Sequence, residues 1–300
     1  MKHNREFAPH YGTPVELAPG LRRLTAQNPG PFTFHGTNTY LIGSRRLLVL
    51  DPGPALPDHI EAIAKAADGA KIEAILVSHT HMDHSPGARV LQDKTGASII
   101  GCGPHRAARD LLDNEINPLD SSADKDHLPA RQMFDGDLFD AADATVEAIE
   151  TPGHTANHLC FAITGSDLIL SADHVMGWST SIVAPPDGSM RDYMASIDKM
   201  LLRPETRYFP GHGGSISDAK TYVQELKQHR LDREKAILRS ISGGERSIIE
   251  IVRELYADVD PSLHRAASLS VFAHLEDLVD RKLALAMPDL ALDARYRKTG

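Results

Sequence analysis

Residues 76–87 read LVSHTHMDHSPG. An apolar run gives way, within six positions, to His79, His81, Asp83 and His84. Such groups are costly to bury unless a cation neutralises and coordinates them. In an extended segment, side chains two apart point to one side, so His79 and His81 can grip one ion from a strand end. Asp83 and His84 fall on the following turn and can face a second. Imidazole with carboxylate suits first-row divalent metals, zinc above all, with iron or manganese as alternatives. Three further groups have matching contexts: His154 in ETPGHT, Asp173 closing LILSAD, and His212 in YFPGHG. All follow strand-like runs, and strand ends are where α/β folds build their sites. Two ions sharing a bridging carboxylate would use all seven groups. His10, His105, His127, His229 and His264 lack such neighbours and read as solvated or hydrogen-bonded histidines.

These groups need elements to position them. Residues 32–51 read as two short strands, and DPGPALPD as a turn, with Asp58 predicted to cap a helix HIEAIAKAAD. IEAILVS is a strand leading into the cluster, ARVLQDKTG a helix, and ASIIGC the next strand. Residues 113–131 are polar and irregular and read as a surface insertion. TVEAIE, HLCFAIT, DLILSAD and RYFP are strand-like, and RDYMASIDKMLL is an amphipathic helix after a Pro/Gly loop at 183–190. Beyond Asp218 the pattern turns helical. A long helix is predicted over 219–241, a second behind the capping-box pair Ser247 and Glu250, and a third behind Asp260-Pro261. LALA and ARYRK close the chain. Three helices and a β-ribbon outline a winged helix, which predicts two domains, 1–218 and 219–300.

Composition bounds the function. The chain has 300 residues, 41% hydrophobic and 24% charged, which is ample for a sizeable core. Its two cysteines, Cys102 and Cys160, are too few for a disulfide framework and read as reduced packing residues. No secretory leader and no membrane span is expected, and the cytoplasm is the expected compartment. The net charge is −9, and all of that excess lies in the part up to about residue 225. That argues against tight, sequence-blind binding of nucleic acid, which needs clustered Lys and Arg.

SHTHMDHSPGA, TPGHT, SAD and PGHG, in that order and behind NTYLIG and LVLDPG, resemble the metallo-β-lactamase-fold hydrolases. The tail resembles the winged-helix appendage of the β-lactamase-like-protein-2 subgroup. The resemblance implies an αββα sandwich with a small C-terminal winged-helix domain and two divalent ions at one edge. By motif position His79, His81 and His154 would hold the first ion, Asp83, His84 and His212 the second, and Asp173 would bridge them. Asp51 would brace the ligand loop. An aspartate at 173, where zinc β-lactamases often carry cysteine, implies a glyoxalase-II-like or nuclease-like site.

The expected chemistry is hydrolysis by a metal-bridged hydroxide. Asp83 would orient the hydroxide, and His174 or His158 would either protonate the leaving group or serve as ordinary hydrogen-bonding support behind the ligands. A small-molecule ester or thioester is the first expected substrate. Single-stranded RNA is the alternative, with Arg106 and Arg109 on one helical face and Arg191 as phosphate contacts. Lactonase activity and incidental β-lactam hydrolysis are weaker alternatives. A winged-helix binding module is also conceivable, but Glu276, Asp277 and Asp280 spoil a DNA-reading third helix. Domain packing, homodimer formation or lining of the active-site mouth suits the tail better.

Overall fold

The computed structural model describes residues 1–141 and 143–300. Among these residues the strands assort into three sheets. The first sheet holds β1 (Val15–Ala18), β2 (Leu21–Thr25), β3 (Asn38–Ile42), β4 (Arg46–Leu50), β5 (Lys71–Val77), β6 (Ser98–Gly101) and β7 (Arg131–Gln132), in that spatial order. Pairing is antiparallel through β4 and parallel from β4 to β7. The parallel crossovers carry α1 (Pro57–Ala66) and α2 (Pro86–Thr95). The second sheet runs β12 (Arg207–Pro210), β11 (Leu168–Ala172), β10 (Leu159–Ile163), β9 (Thr145–Glu150), β8 (Leu138–Asp140). Between β11 and β12, which are parallel, lies α3 (Met190–Leu201).

Alternation along the second sheet stacks the layers. Ala148, Phe161, Leu170 and Phe209 face the core shared with the first sheet and with Ile60, Ile63 and Leu91 of α1 and α2. Their neighbours Ile149, Cys160, Ile169 and Tyr208 face α3 and α4 (Ala219–Ser240), through Tyr193, Ile197, Val223 and Leu226. A period of two sends successive side chains to opposite faces, and the result is an αββα sandwich. Cys102 and Cys160 are both buried and free.

The C-terminal part adds β13 (Arg246–Ser247), α5 (Ile248–Leu255), α6 (His264–Asp280), β14 (Ala284–Met287) and β15 (Arg295–Lys298). The three strands pair as a small sheet, and Ile251, Phe272, Leu275 and Tyr296 form its core with Ile237 and Ile241 of α4. Both halves of the Ser247–Glu250 capping box are formed. This is a winged helix. α4 spans both cores. No helix among the described residues is long and apolar enough to cross a membrane.

Several local expectations need correction. Asp58 does not cap α1: the helix starts one residue earlier at Pro57, behind Leu56, because proline supplies a preset φ and needs no donor at that position. β1 and β2 precede the first strands read from sequence. Residues 104–110 form no helix, and the Ala108 and Arg109 N–H groups bond the Pro186 carbonyl instead. The insertion at 113–131 is not merely a surface feature. Ala123, Asp124 and His127 are buried, and the strip bonds directly to the loop after β5.

Candidate metal centre

Each candidate ligand leaves the end of a strand. The loop after β5 carries His79, His81, Asp83 and His84, β9 leads to His154, β11 to Asp173 and β12 to His212. β11 ends in a register shift against β12, and Ala172 adopts a positive φ of 42°. That turn swings Asp173 off the strand toward the centre. Gly211 lets it arrive. A Cβ there would meet the Asp173 carboxylate and lie 2.7 Å from the His84 ring.

The donor atoms converge as two groups. One ligand atom from each of His79, His81, His154 and Asp173 lies within 4.8 Å of the others, as do those of Asp83, His84 and His212. In the first group, His81 Nδ1 is 3.1 Å from His79 Nε2 and 3.0 Å from His154 Nε2. In the second, His212 Nε2 is 3.3 Å from His84 Nε2 and 3.2 Å from an Asp83 oxygen. Asp173 touches both: one oxygen is 3.5 Å from His154 Nε2 and 3.4 Å from His212 Nε2, and the other is 3.5 Å from His84 Nε2.

The outer nitrogens fix the tautomers. Ser78 Oγ gives its proton to Asp51 at 2.6 Å, so it must accept from His79 Nδ1 at 2.9 Å. His84 Nδ1 donates to the other side of the same Asp51 oxygen at 3.0 Å. His154 Nδ1 donates to the Ile182 carbonyl at 2.6 Å, and His212 Nδ1 to the Gly36 carbonyl at 3.1 Å. Each leaves an Nε2 aimed at the centre. His81 is the exception, with Nδ1 inward and a buried Nε2 lacking any partner. Asp51 also accepts from the Ser78 N–H at 2.8 Å, so it braces both strand end and ligand loop. A third overlapping group, Asp51 with His79 and His84, has its carboxylate already committed in this way.

Without an ion, protons on two histidines face the two carboxylates of the cluster. Burial opposes protonation of His84, but Asp83 and Asp173 outweigh it and hold its pKa well above the ordinary histidine value. His212, against the same burial, is pushed up to about 9 by Asp173 and then Asp83. Burial, with His84 next, drives His79 well below its ordinary value, and burial with His154 drives His81 down to about 3. The neutral imidazoles of His79 and His154 thus both point Nε2 lone pairs at His81 Nδ1, and a single proton there could be donated to only one of them. Divalent cations fit this donor set: nitrogen and carboxylate oxygen, converging, with hydrogen-bonded outer atoms.

Other expected residues fall elsewhere. His158 is buried behind the cluster, donating from Nδ1 to Thr151 at 2.8 Å and accepting the Asp173 N–H at 3.2 Å on Nε2. His174 is fully buried against the Tyr193 ring, and burial pushes its pKa down to about 3. Neither lines the cavity over the cluster. Arg106 donates to the Ala156 carbonyl, Arg109 pairs with Glu115 and Glu276, and Arg191 pairs with Asp277 and Asp280.

That cavity has a volume of about 640 Å³. His81, Asp83, His154, Asp173 and His212 form its floor, and Phe32, Leu119, Met176, Trp178, Ile182 and Leu269 most of its apolar wall. Leu119 comes from the insertion and Leu269 from α6. The strip that carries Leu119 is tied down by Asp124, which accepts from Ser85 at 2.6 Å and from Arg89 at 2.9 Å. The carbonyls that orient His154 and His212, and the wall residues, carry no side-chain pattern that a linear reading could find.

Comparison with known proteins agrees with this geometry. The family described as the metallo-beta-lactamase superfamily matches residues 32–212, and the beta-lactamase associated winged helix domain matches residues 247–286. The chain is 31% identical to the beta-lactamase-like protein 2 homolog of Caenorhabditis elegans, over 86% of this chain and 83% of that one. It is 28% identical to an atrochrysone carboxyl ACP thioesterase of Aspergillus chevalieri, over 84% of this chain and 78% of that one. A solved beta-lactamase domain protein from Burkholderia ambifaria superimposes with a TM-score of 0.80 at 20% identity, covering 97% and 95% of the two chains, and so shares the fold. The chain belongs to the metallo-beta-lactamase superfamily of metal-dependent hydrolases.

Proposed function

We propose that this superfamily member holds two divalent ions, zinc by preference, and hydrolyses a small-molecule acyl thioester, with the corresponding esters as poorer substrates. The observation that carries the reading is the apolar cavity whose floor is the ligand set. His79, His81 and His154 would hold one ion, Asp83, His84 and His212 the other, and Asp173 both. Bound there, such ions supply water activated near neutral pH and positive charge for a developing oxyanion.

The chain's own residues do the rest. Asp83 is the floor carboxylate most open to the cavity, with its side chain 28% exposed. It is placed to accept a hydrogen bond from the attacking water and to take its proton. Thr37 Oγ1, 3.4 Å from Asp83, steadies that carboxylate from behind. The apolar wall excludes bulk water and seats the acyl chain.

Leaving-group chemistry favours sulfur. The titratable lining of the cavity comprises the five floor residues and Arg265. With His174 and His158 buried behind the floor, no separate acid stands ready. A thiolate, whose conjugate acid has a pKa of about 8.5, departs without one, whereas an alkoxide needs a proton. The relative named as a thioesterase supports the same choice. The arginines expected to meet RNA phosphates are committed to ion pairs or to a carbonyl, which weakens the nuclease alternative.

The test is a parallel screen of metal-analysed protein against an acyl thioester, a lactone, a β-lactam and labelled single-stranded RNA. Thioester turnover that is lost on chelation and insensitive to salt is expected. RNA cleavage that falls steeply with salt, without thioester turnover, overturns the reading.

A further inference from the structure

We propose that Arg265 makes the cavity selective for acyl substrates carrying an anionic group remote from the scissile bond. The proposal rests on the thioester reading above and narrows its substrate class. Arg265 stands on the first turn of α6, on the winged-helix side of the cavity. Among the described residues it is the only formally charged one that lines the cavity outside the floor. The cavity that it shares with the floor is lined mostly by apolar side chains, Trp178, Ile182 and Leu269 among them. A ligand reaching from the floor to Arg265 would therefore be largely apolar between a reactive end and a charged one.

Among the described residues the Arg265 side chain has no hydrogen bond or ion pair. The acidic groups farther along α6 are engaged: Glu276 by Arg109, and Asp277 by Arg191 and Arg281. The chain carries nine more acidic than basic charges, so internal carboxylates are not scarce. Arg265 instead opens onto the cavity with its donors free. A guanidinium offers a planar fork that suits a carboxylate or a phosphate, and its charge-assisted bonds are stronger than neutral ones. The anion could sit on the thiol side, as a phosphate, or on the acyl side, as a terminal carboxylate. The geometry supports the shared chemistry, and the assay separates the two.

Four thioesters serve as probes. They are S-octanoyl-4′-phosphopantetheine, S-octanoyl-pantetheine, the monothioester of suberic acid with N-acetylcysteamine, and S-octanoyl-N-acetylcysteamine. The readout is the ratio of kcat/KM for each anionic probe to that for its neutral counterpart, in the metal-loaded wild type, Arg265→Gln and Arg265→Lys. For one anionic probe the ratio is expected to fall roughly 10- to 100-fold in Arg265→Gln, through KM rather than kcat, with most of it restored in Arg265→Lys. The probe that responds shows which side carries the anion. Unchanged ratios for both pairs overturn the proposal while leaving the thioester reading intact. If the wild type hydrolyses no thioester, that reading fails. The inference is then decided by calorimetric binding of 4′-phosphopantetheine and suberate. Weaker binding of either to Arg265→Gln supports it, and equal or absent binding overturns it.

Discussion

At the scale of single residues, the site is defined by atoms that leave no room for alternatives. Gly211 is the sharpest case. Gly211→Ala adds one methyl group beside the Asp173 carboxylate and the His84 ring. Metal content by elemental analysis is expected to fall well below wild type while the circular dichroism spectrum is kept. Retained full loading would show that the loop can yield. His81→Ala removes the nitrogen central to the first group and is expected to abolish both loading and turnover. Protonation gives a second test. In the ion-free protein His212 keeps a proton up to a pH of about 9, and His84 is raised in the same sense. Both must lose it to bind a cation. Metal uptake at pH 7.5 is therefore expected to release protons, and affinity to weaken as pH falls below about 9. Titration calorimetry in two buffers of different ionisation heat reads this directly, and proton-neutral uptake would contradict it. At this scale the candidate ligands were legible as a set, because their residue types recur at strand ends, and the structure brings them together. Their supports were not. The Ile182 and Gly36 carbonyls that orient His154 and His212 belong to every residue alike, so no side chain announces them.

At the scale of elements, the site depends on segments that look incidental in the sequence. The strip around Asp124 is one. Met82 N–H bonds the Ser122 carbonyl at 2.9 Å, and the Asp124 N–H bonds the Thr80 carbonyl at 2.7 Å, between the ligands of the β5 loop. Asp124→Ala would strand Ser85 and Arg89 and loosen that loop. Metal affinity is expected to drop by about 10- to 100-fold, the range typical for outer support of metal ligands. Competition with a chelating dye measures it, and an unchanged affinity would demote the strip to a cavity wall. α4 offers another tie. Arg230, buried to 4% exposure, donates to the Ser181 carbonyl, and Ser181 Oγ lies 3.2 Å from His154 Nδ1. The winged-helix arm thus reaches the first ligand group through one loop. The long helices and the buried strands were readable from periodicity and caps. β1 and β2 were not, because Arg22 and Arg23 interrupt the apolar run, although Arg23 is itself buried over the Phe7 ring.

At the scale of the whole molecule, packed cores and a shared helix hold seven ionisable groups together, all but Asp83 buried. Removing cations leaves lone pairs facing one another, so chelation is expected to lower Tm by several degrees. Ligand at a thousand times its Kd stabilises by about 4 kcal/mol, which sets the scale in a differential scan. The αββα order was expected from the family resemblance that the motifs carry. Lining of the site's mouth by the tail was one of several roles open from the sequence, with no residue to name for it: Leu269 and Arg265, more than 50 residues beyond His212, wall the same cavity as the floor residues. Anomalous diffraction at the metal absorption edge tests the central claim most directly. Two peaks are expected, one among His79, His81 and His154 and one among Asp83, His84 and His212, each in contact with Asp173. A fully loaded crystal with no peak there, or with its ions bound elsewhere, would contradict the account.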